Sequence, residues 1–120
     1  MPGKPHRKLP CGFGPAFAGF RVLWREPNFR FHLFAALAAI GLGAALRISR
    51  AEWLWVVLAI VLVWVTEALN TAVERLGDAI SDQHDPRLKA AKDAGAAAVL
   101  LASLTALVIG TMIFLPHLLP

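Results

Sequence analysis

Cysteine occurs once in 120 residues, at Cys11, and tyrosine is absent. One thiol excludes an internal disulfide and any multi-thiolate metal cluster. Charged side chains make up only 17 % of the chain, against about 25 % in a typical soluble domain. That deficit argues against a water-soluble fold. No segment reads Gly-x-x-x-x-Gly-Lys-Ser/Thr, so the chain has no P-loop. His6, His32, His84 and His117 have no metal-ligand spacing to one another, and each reads as interfacial or exposed. No internal repeat is visible, which argues against an inverted-repeat transporter.

Hydrophobic residues are abundant, at 58 %, with a mean hydropathy of +0.60. They are bunched in long runs, the mark of a membrane protein, and the length allows one small domain. The formal net charge is +4 and the pI about 10.0. Because the basic residues flank the apolar runs, they read as topology signals and not as a nucleic-acid surface.

Met1 to Pro10 read as a flexible basic arm, here taken as 1–12, ahead of an integral membrane domain over 13–120. Phe13, Phe17, Phe20 and Trp24 recur at steps of four, three and four beside Arg21 and Arg25. That spacing predicts an amphipathic helix in the membrane interface. Pro27 interrupts it and suits the first turn of a new helix. Three apolar spans follow, Phe31 to Leu46, Trp53 to Leu69 and Ala94 to Leu115. The second is expected to continue as a helix to about Leu76 and to weaken or stop at Gly77. Ser81 to Asp93 reads as a hydrophilic loop with a break at Asp85-Pro86. In the third span Gly95, Ala98, Ala102, Ala106 and Gly110 form a small-residue stripe suited to close helix packing. Ten of the 12 Lys and Arg residues lie before the first span or between spans two and three. This bias places the N-terminus in the cytoplasm and the C-terminus outside.

Acids enter where the second span ends. At about 100° per residue, Glu67, Asn70, Thr71, Glu74 and Asp78 share one helical stripe about 100° wide. A carboxylate at membrane depth must face protein, water or a cation. Two carboxylates and an amide oxygen are hard ligands that suit Mg²⁺ shared with phosphates, so the stripe suggests a metal–phosphate site. The alternative is a helix end that has simply left the bilayer for water. Lys92 and Asp93 open the third span on the same side, where Lys92 could neutralise a phosphate and Asp93 could hold Lys92 or a helix-start amide. Glu26 lies at the same depth.

Glu67-Ala-Leu-Asn70-Thr-Ala-Val-Glu74-Arg-Leu-Gly-Asp78, followed by Ala91-Lys92-Asp93, resembles the prokaryotic diacylglycerol kinase family. The likeness runs from about Phe13 to Leu115. It implies a homotrimer of subunits with a surface helix and three transmembrane helices, and active sites between subunits. It also implies ATP-dependent, Mg²⁺-requiring phosphorylation of a lipid alcohol, undecaprenol or diacylglycerol, at the inner face of the bacterial cytoplasmic membrane. No nucleic-acid partner is implied. By motif, Glu74 matches the general base, and Glu26 and Glu74 the metal-binding acids. Asp78, Lys92 and Asp93 match nucleotide or phosphate contacts, and Glu67 and Asn70 further polar site residues. Glu26-Pro27-Asn28-Phe29-Arg30-x-His32 resembles the undecaprenol branch. The step from Gly19 to Glu26 is about one residue short for the family, and Gln83-His84 replaces a frequent Tyr-His pair, so contacts from these two segments carry over weakly. From the residues alone, a non-enzymatic oligomer such as a channel or holin-like protein stands as the rival reading.

Overall fold

The computed structural model describes residues 12–120. Four helices follow in order: α1 (Phe13–Trp24), α2 (Pro27–Leu46), α3 (Arg50–Ile80) and α4 (Pro86–Leu118). No strand occurs among the described residues. The basic arm lies almost wholly outside them.

Local chemistry sets each boundary. Pro27 forces Glu26 into an extended conformation (φ −88°, ψ 121°), which stops α1, and then takes the first position of α2. α2 closes on Arg47 in the left-handed region (φ 51°). The Arg47 and Ile48 amides donate back to the Ala44 and Gly43 carbonyls at 3.3 and 3.2 Å, the paired bonds of a Schellman closure. Ser49 then opens α3 through a capping box with Glu52. The polar Arg47–Glu52 turn therefore contributes to α3, which starts three residues before Trp53.

Two boundaries differ from the sequence expectation. Gly77 does not stop α3, which runs on to Ile80. A Cβ at Gly77 would lie 3.0 Å from Lys92 Cε, so this glycine serves a close helix approach. The hydrophilic loop also contracts to 81–85. Asp85 caps α4 by accepting from the Arg87 amide at 2.9 Å, with Pro86 at the first helical position. An Asp-Pro pair that resembles a break is here a helix start.

Helices α3 and α4 make the most extensive pairing, and α2 packs mainly on α3. The short link makes α3 and α4 antiparallel neighbours. Their covered positions alternate in steps of three and four, as in a coiled-coil seam. On α3 these are Val56, Ile60, Val63, Glu67, Asn70 and Glu74; on α4 they are Gly95, Val99, Ala102, Ala106, Ile109 and Ile113. The small-residue stripe is thus largely in the seam, except for Ala98, which is exposed. Far from the α3–α4 link, Ile48, Val56 and Ile113 form an apolar cluster.

Three helices are long and apolar enough to cross a membrane, and the chain is a membrane protein. α2, with 20 residues, is about 30 Å long, the thickness of the hydrocarbon core. α3 and α4, with 31 and 33 residues, reach about 46 and 50 Å. Both have length to spare beyond the bilayer core. The surplus of α3 carries Glu74 and Asp78.

Candidate functional site

The site is a change of chemistry within one packing seam. Val56, Ile60 and Val63 give way to Glu67, Asn70 and Glu74 at the same helical phase. Measured from Arg50 at 1.5 Å per residue, Glu67 lies about 26 Å along α3 and Glu74 about 36 Å. A core of about 30 Å beginning at Arg50 would end between them. The stripe crosses from apolar to aqueous surroundings while facing other helices, so it is not a solvated helix end along its whole length.

Each acid meets a basic side chain from elsewhere in the chain. Glu67 is 4 % exposed, and its Oε1 stands 3.1 Å from His32 Nε2 on α2. Phe29 on α2 and Trp64 on α3 pack with ring centroids 6.0 Å apart, one helical turn from that pair. Lys92 reaches across from α4. Its Nζ donates to Asp78 Oδ1 at 2.5 Å and lies 3.6 Å from Glu74 Oε2. Arg75 on α3 donates to Glu26 Oε1 at 2.9 Å, which ties the α1–α2 corner to the acidic stretch.

Asn70 differs from the acids. Its Oδ1 is buried with no hydrogen-bond partner among the described residues, and it lies against Gly95 of α4. A buried, unpaired amide oxygen is costly and uncommon in native structures. Asn70 is therefore an amide held in place by packing against α4, with its oxygen unmatched.

Beyond Glu74 the surface opens into a polar groove of about 480 Å³, lined in part by Glu74, Asp78, Asp82, Asp85, Lys89 and Lys92. Here Asp93 departs from expectation. It receives a hydrogen bond from Lys89 at 2.6 Å and does not hold Lys92. Asp93 also lies well inside α4, so it does not cap the helix start, a task that falls to Asp85. Consecutive helical residues diverge by about 100°, so Lys92 and Asp93 cannot both face α3. The Arg87 side chain beside Asp85, together with the Arg87 amide, holds that carboxyl below the usual carboxylate range.

The arrangement brings Glu67, Asn70, Glu74, Asp78 and Lys92 to the α3–α4 seam and its mouth, with Glu26 fastened beside it by Arg75. Sequence reasoning missed His32, read as interfacial or exposed, and Arg75. For His32 a signal existed, since it shares the covered face of α2 with Phe29 and Ala36.

Fold and site together define a small helical membrane protein with an acid-rich polar centre at one end of its spans. Residues 14–114 match the prokaryotic diacylglycerol kinase family, and the chain belongs to that family. It is 41 % identical to undecaprenol kinase of Bacillus subtilis over 124 aligned residues, covering 98 % of this chain and all of the relative. It is 33 % identical to diacylglycerol kinase of Synechocystis, covering 97 % of this chain and 72 % of that one. It is 30 % identical to diacylglycerol kinase of Escherichia coli K12, covering 87 % and 86 %. The protein is a lipid kinase, which decides against the non-enzymatic oligomer.

Proposed function

We propose that the protein transfers the γ-phosphoryl group of ATP to the hydroxyl of undecaprenol, directly and in line, at the cytoplasmic surface of the bacterial inner membrane. One observation carries the reading: the α3 acids face partner helices along a packing seam that runs from the apolar core to an open polar groove. A lipid alcohol and a water-soluble nucleotide must meet at such a boundary.

The roles follow position. Glu67 and Asn70, at the apolar end, line the path by which the lipid alcohol enters. Glu74, at the boundary, takes its proton. Lys92, with Asp78 and Asp93 beside the polar groove, contacts the nucleotide and its phosphates. The lipid oxygen forms a bond to the γ-phosphorus as the bond to the ADP oxygen breaks, and the hydroxyl proton passes to a Glu74 oxygen. Phosphoryl transfer of this kind needs chiefly positioning and charge neutralisation. Proton transfer late along a loose path tolerates a weak base, so Glu74 need not be strongly basic.

Magnesium is supported by the chemistry of the donors, carboxylate oxygens on Glu26 and Glu74, although among the described residues no three metal-ligating side chains already converge. Glu26 and Glu74 would hold it. Such donors suit a cation that keeps waters and phosphate oxygens in its shell. When bound, it would neutralise charge on the transferring phosphates.

Undecaprenol is favoured over diacylglycerol by the Glu26–His32 segment and by the higher identity to the Bacillus subtilis undecaprenol kinase than to the two diacylglycerol kinases. The exposed apolar flanks of α2 and α4, with Phe34, Leu37, Leu104 and Leu107 uncovered, fit a homotrimer in lipid. The exposed row Phe13, Phe17, Phe20 and Trp24 fits a surface helix in the interface.

The test is reconstituted Glu74→Gln. Turnover of labelled ATP with lipid alcohol is expected to fall by about 10³-fold, within the usual contribution of one general base, with trimer assembly retained. Near-native turnover overturns the role of Glu74. Presenting both lipids in parallel to the unaltered protein decides the substrate, with undecaprenol expected to be preferred.

A further inference from the structure

The acids at this end differ in how they are matched. Lys92 is engaged by Glu74 and Asp78, and Arg75 by Glu26. Among the described residues, the one basic side chain within ion-pair distance of Glu67 is His32, at 3.1 Å. Glu67 is the most buried of these acids, and the His32 side chain is itself 19 % exposed. A carboxylate at this depth requires a partner, and burial makes the geometry of that partner matter.

The pair sits at a junction. His32 lines the rim of an apolar groove of about 430 Å³ between α2, α3 and α4, whose walls include Ala36, Ala39, Val63, Trp64 and Ala106. On the other side, Asn70 and Glu74 continue the polar stripe. Phe29 packs against Trp64 one turn away, fixing the phase of α2 against α3 and thus the side of Glu67 that His32 meets. His32 Nε2 faces Oε1; Oε2 is the oxygen left for another donor.

We infer that His32 is a positioning residue for the kinase reaction: its imidazole fixes the Glu67 carboxylate by one oxygen and leaves the other to hold the hydroxyl of the entering lipid, before that hydroxyl passes to Glu74 for transfer. The inference deepens the proposed lipid-kinase reading and rests on it. His32 acts through Glu67. Its loss is felt in the lipid constant and not in the nucleotide constant, because the pair lies at the apolar end of the stripe and Lys92 at the other.

The experiment uses the full-length protein in mixed micelles with undecaprenol and ATP varied independently. His32→Ala is expected to raise the lipid KM by about tenfold, the loss of one buried charge-assisted contact, with the ATP KM unchanged. His32→Gln, which retains an N–H donor, restores most of the lipid affinity. In the double variant, His32→Ala adds nothing to Glu67→Gln, because the two act as one unit. Equal changes in both KM values, multiplicative losses, or no change in His32→Ala overturn the inference. If His32→Ala does not assemble, nitrogen-15 spectra of histidine-labelled protein decide it. The His32 Nε2 signal, assigned with His32→Gln, moves in Glu67→Gln if the contact exists and stays fixed if it does not. Absence of any lipid-kinase turnover in the unaltered protein would instead remove the underlying reading, while the spectra still report on the pair.

Discussion

Gly95 and Asn70 are a pair in which one residue exists for the geometry of the other. Gly95 lies in the α4 seam, and a Cβ built there would overlap Asn70 Oδ1. The unpaired amide oxygen keeps its place because α4 has no side chain at that point. Gly95→Ala must displace Asn70 or separate α3 from α4. A displacement of about 1 Å at a reacting centre can cost on the order of 100-fold in rate, so turnover is expected to fall by at least about tenfold while the protein still assembles. Gly41→Ala is the control. A Cβ at Gly41 meets nothing within 4 Å, and alanine favours the helix by roughly 1 kcal/mol over glycine, so activity is unchanged. Lipid-kinase assays beside size-exclusion profiles check both. Loss of assembly in Gly95→Ala would make the glycine a packing residue first.

The end of α4 nearest the polar groove depends on Asp85, which caps the helix and is held ionised by Arg87. A carboxyl lowered in the folded state contributes stability that is complete above its unfolded value and is lost as pH falls through its folded value. Acidification below about pH 4 should therefore loosen the first turns of α4 before the apolar spans respond. Hydrogen exchange at the Leu88 and Lys89 amides is expected to accelerate there, and Asp85→Asn, which keeps a capping oxygen, to flatten the acid dependence. This terminus also marks where the sequence was hardest to read. The spans and the polar stripe were legible because they depend on periodicity: Glu67, Asn70 and Glu74 share a face whatever surrounds them. Ser49 with Glu52 was equally local and could have been found. The pairing of Glu67 with His32, of Glu26 with Arg75 and of Lys92 with Asp78 could not, since each joins different helices or distant turns. Gly77 and Asp85-Pro86 were misread because one residue type serves opposite ends: glycine ends helices or admits close neighbours, and proline breaks them or begins them.

The described chain is polarised along the direction of its helices. At one end stand the Glu52–His117 pair, at 2.9 Å, and the cluster of Ile48, Val56 and Ile113. At the other are the α3–α4 link, the polar groove and most of the basic residues. The proposed reaction uses cytoplasmic nucleotide and so needs the second end to face the cytoplasm, and the Lys and Arg bias independently leads to the same expectation. Asp82, in the link, and Leu119, just past α4, are exposed and mark the two ends. With Cys11→Ser as background, Asp82→Cys is expected to react with a membrane-impermeant maleimide in inverted vesicles and to be protected in right-side-out spheroplasts. Leu119→Cys should show the reverse pattern. The two sites must give opposite answers, because α4 between them is long and apolar enough to cross the membrane once. Labelling of both from the same side would mean that α4 does not span. Complete reversal of the pattern would place the acidic stripe outside, away from nucleotide, and would remove the basis for phosphoryl transfer at this site.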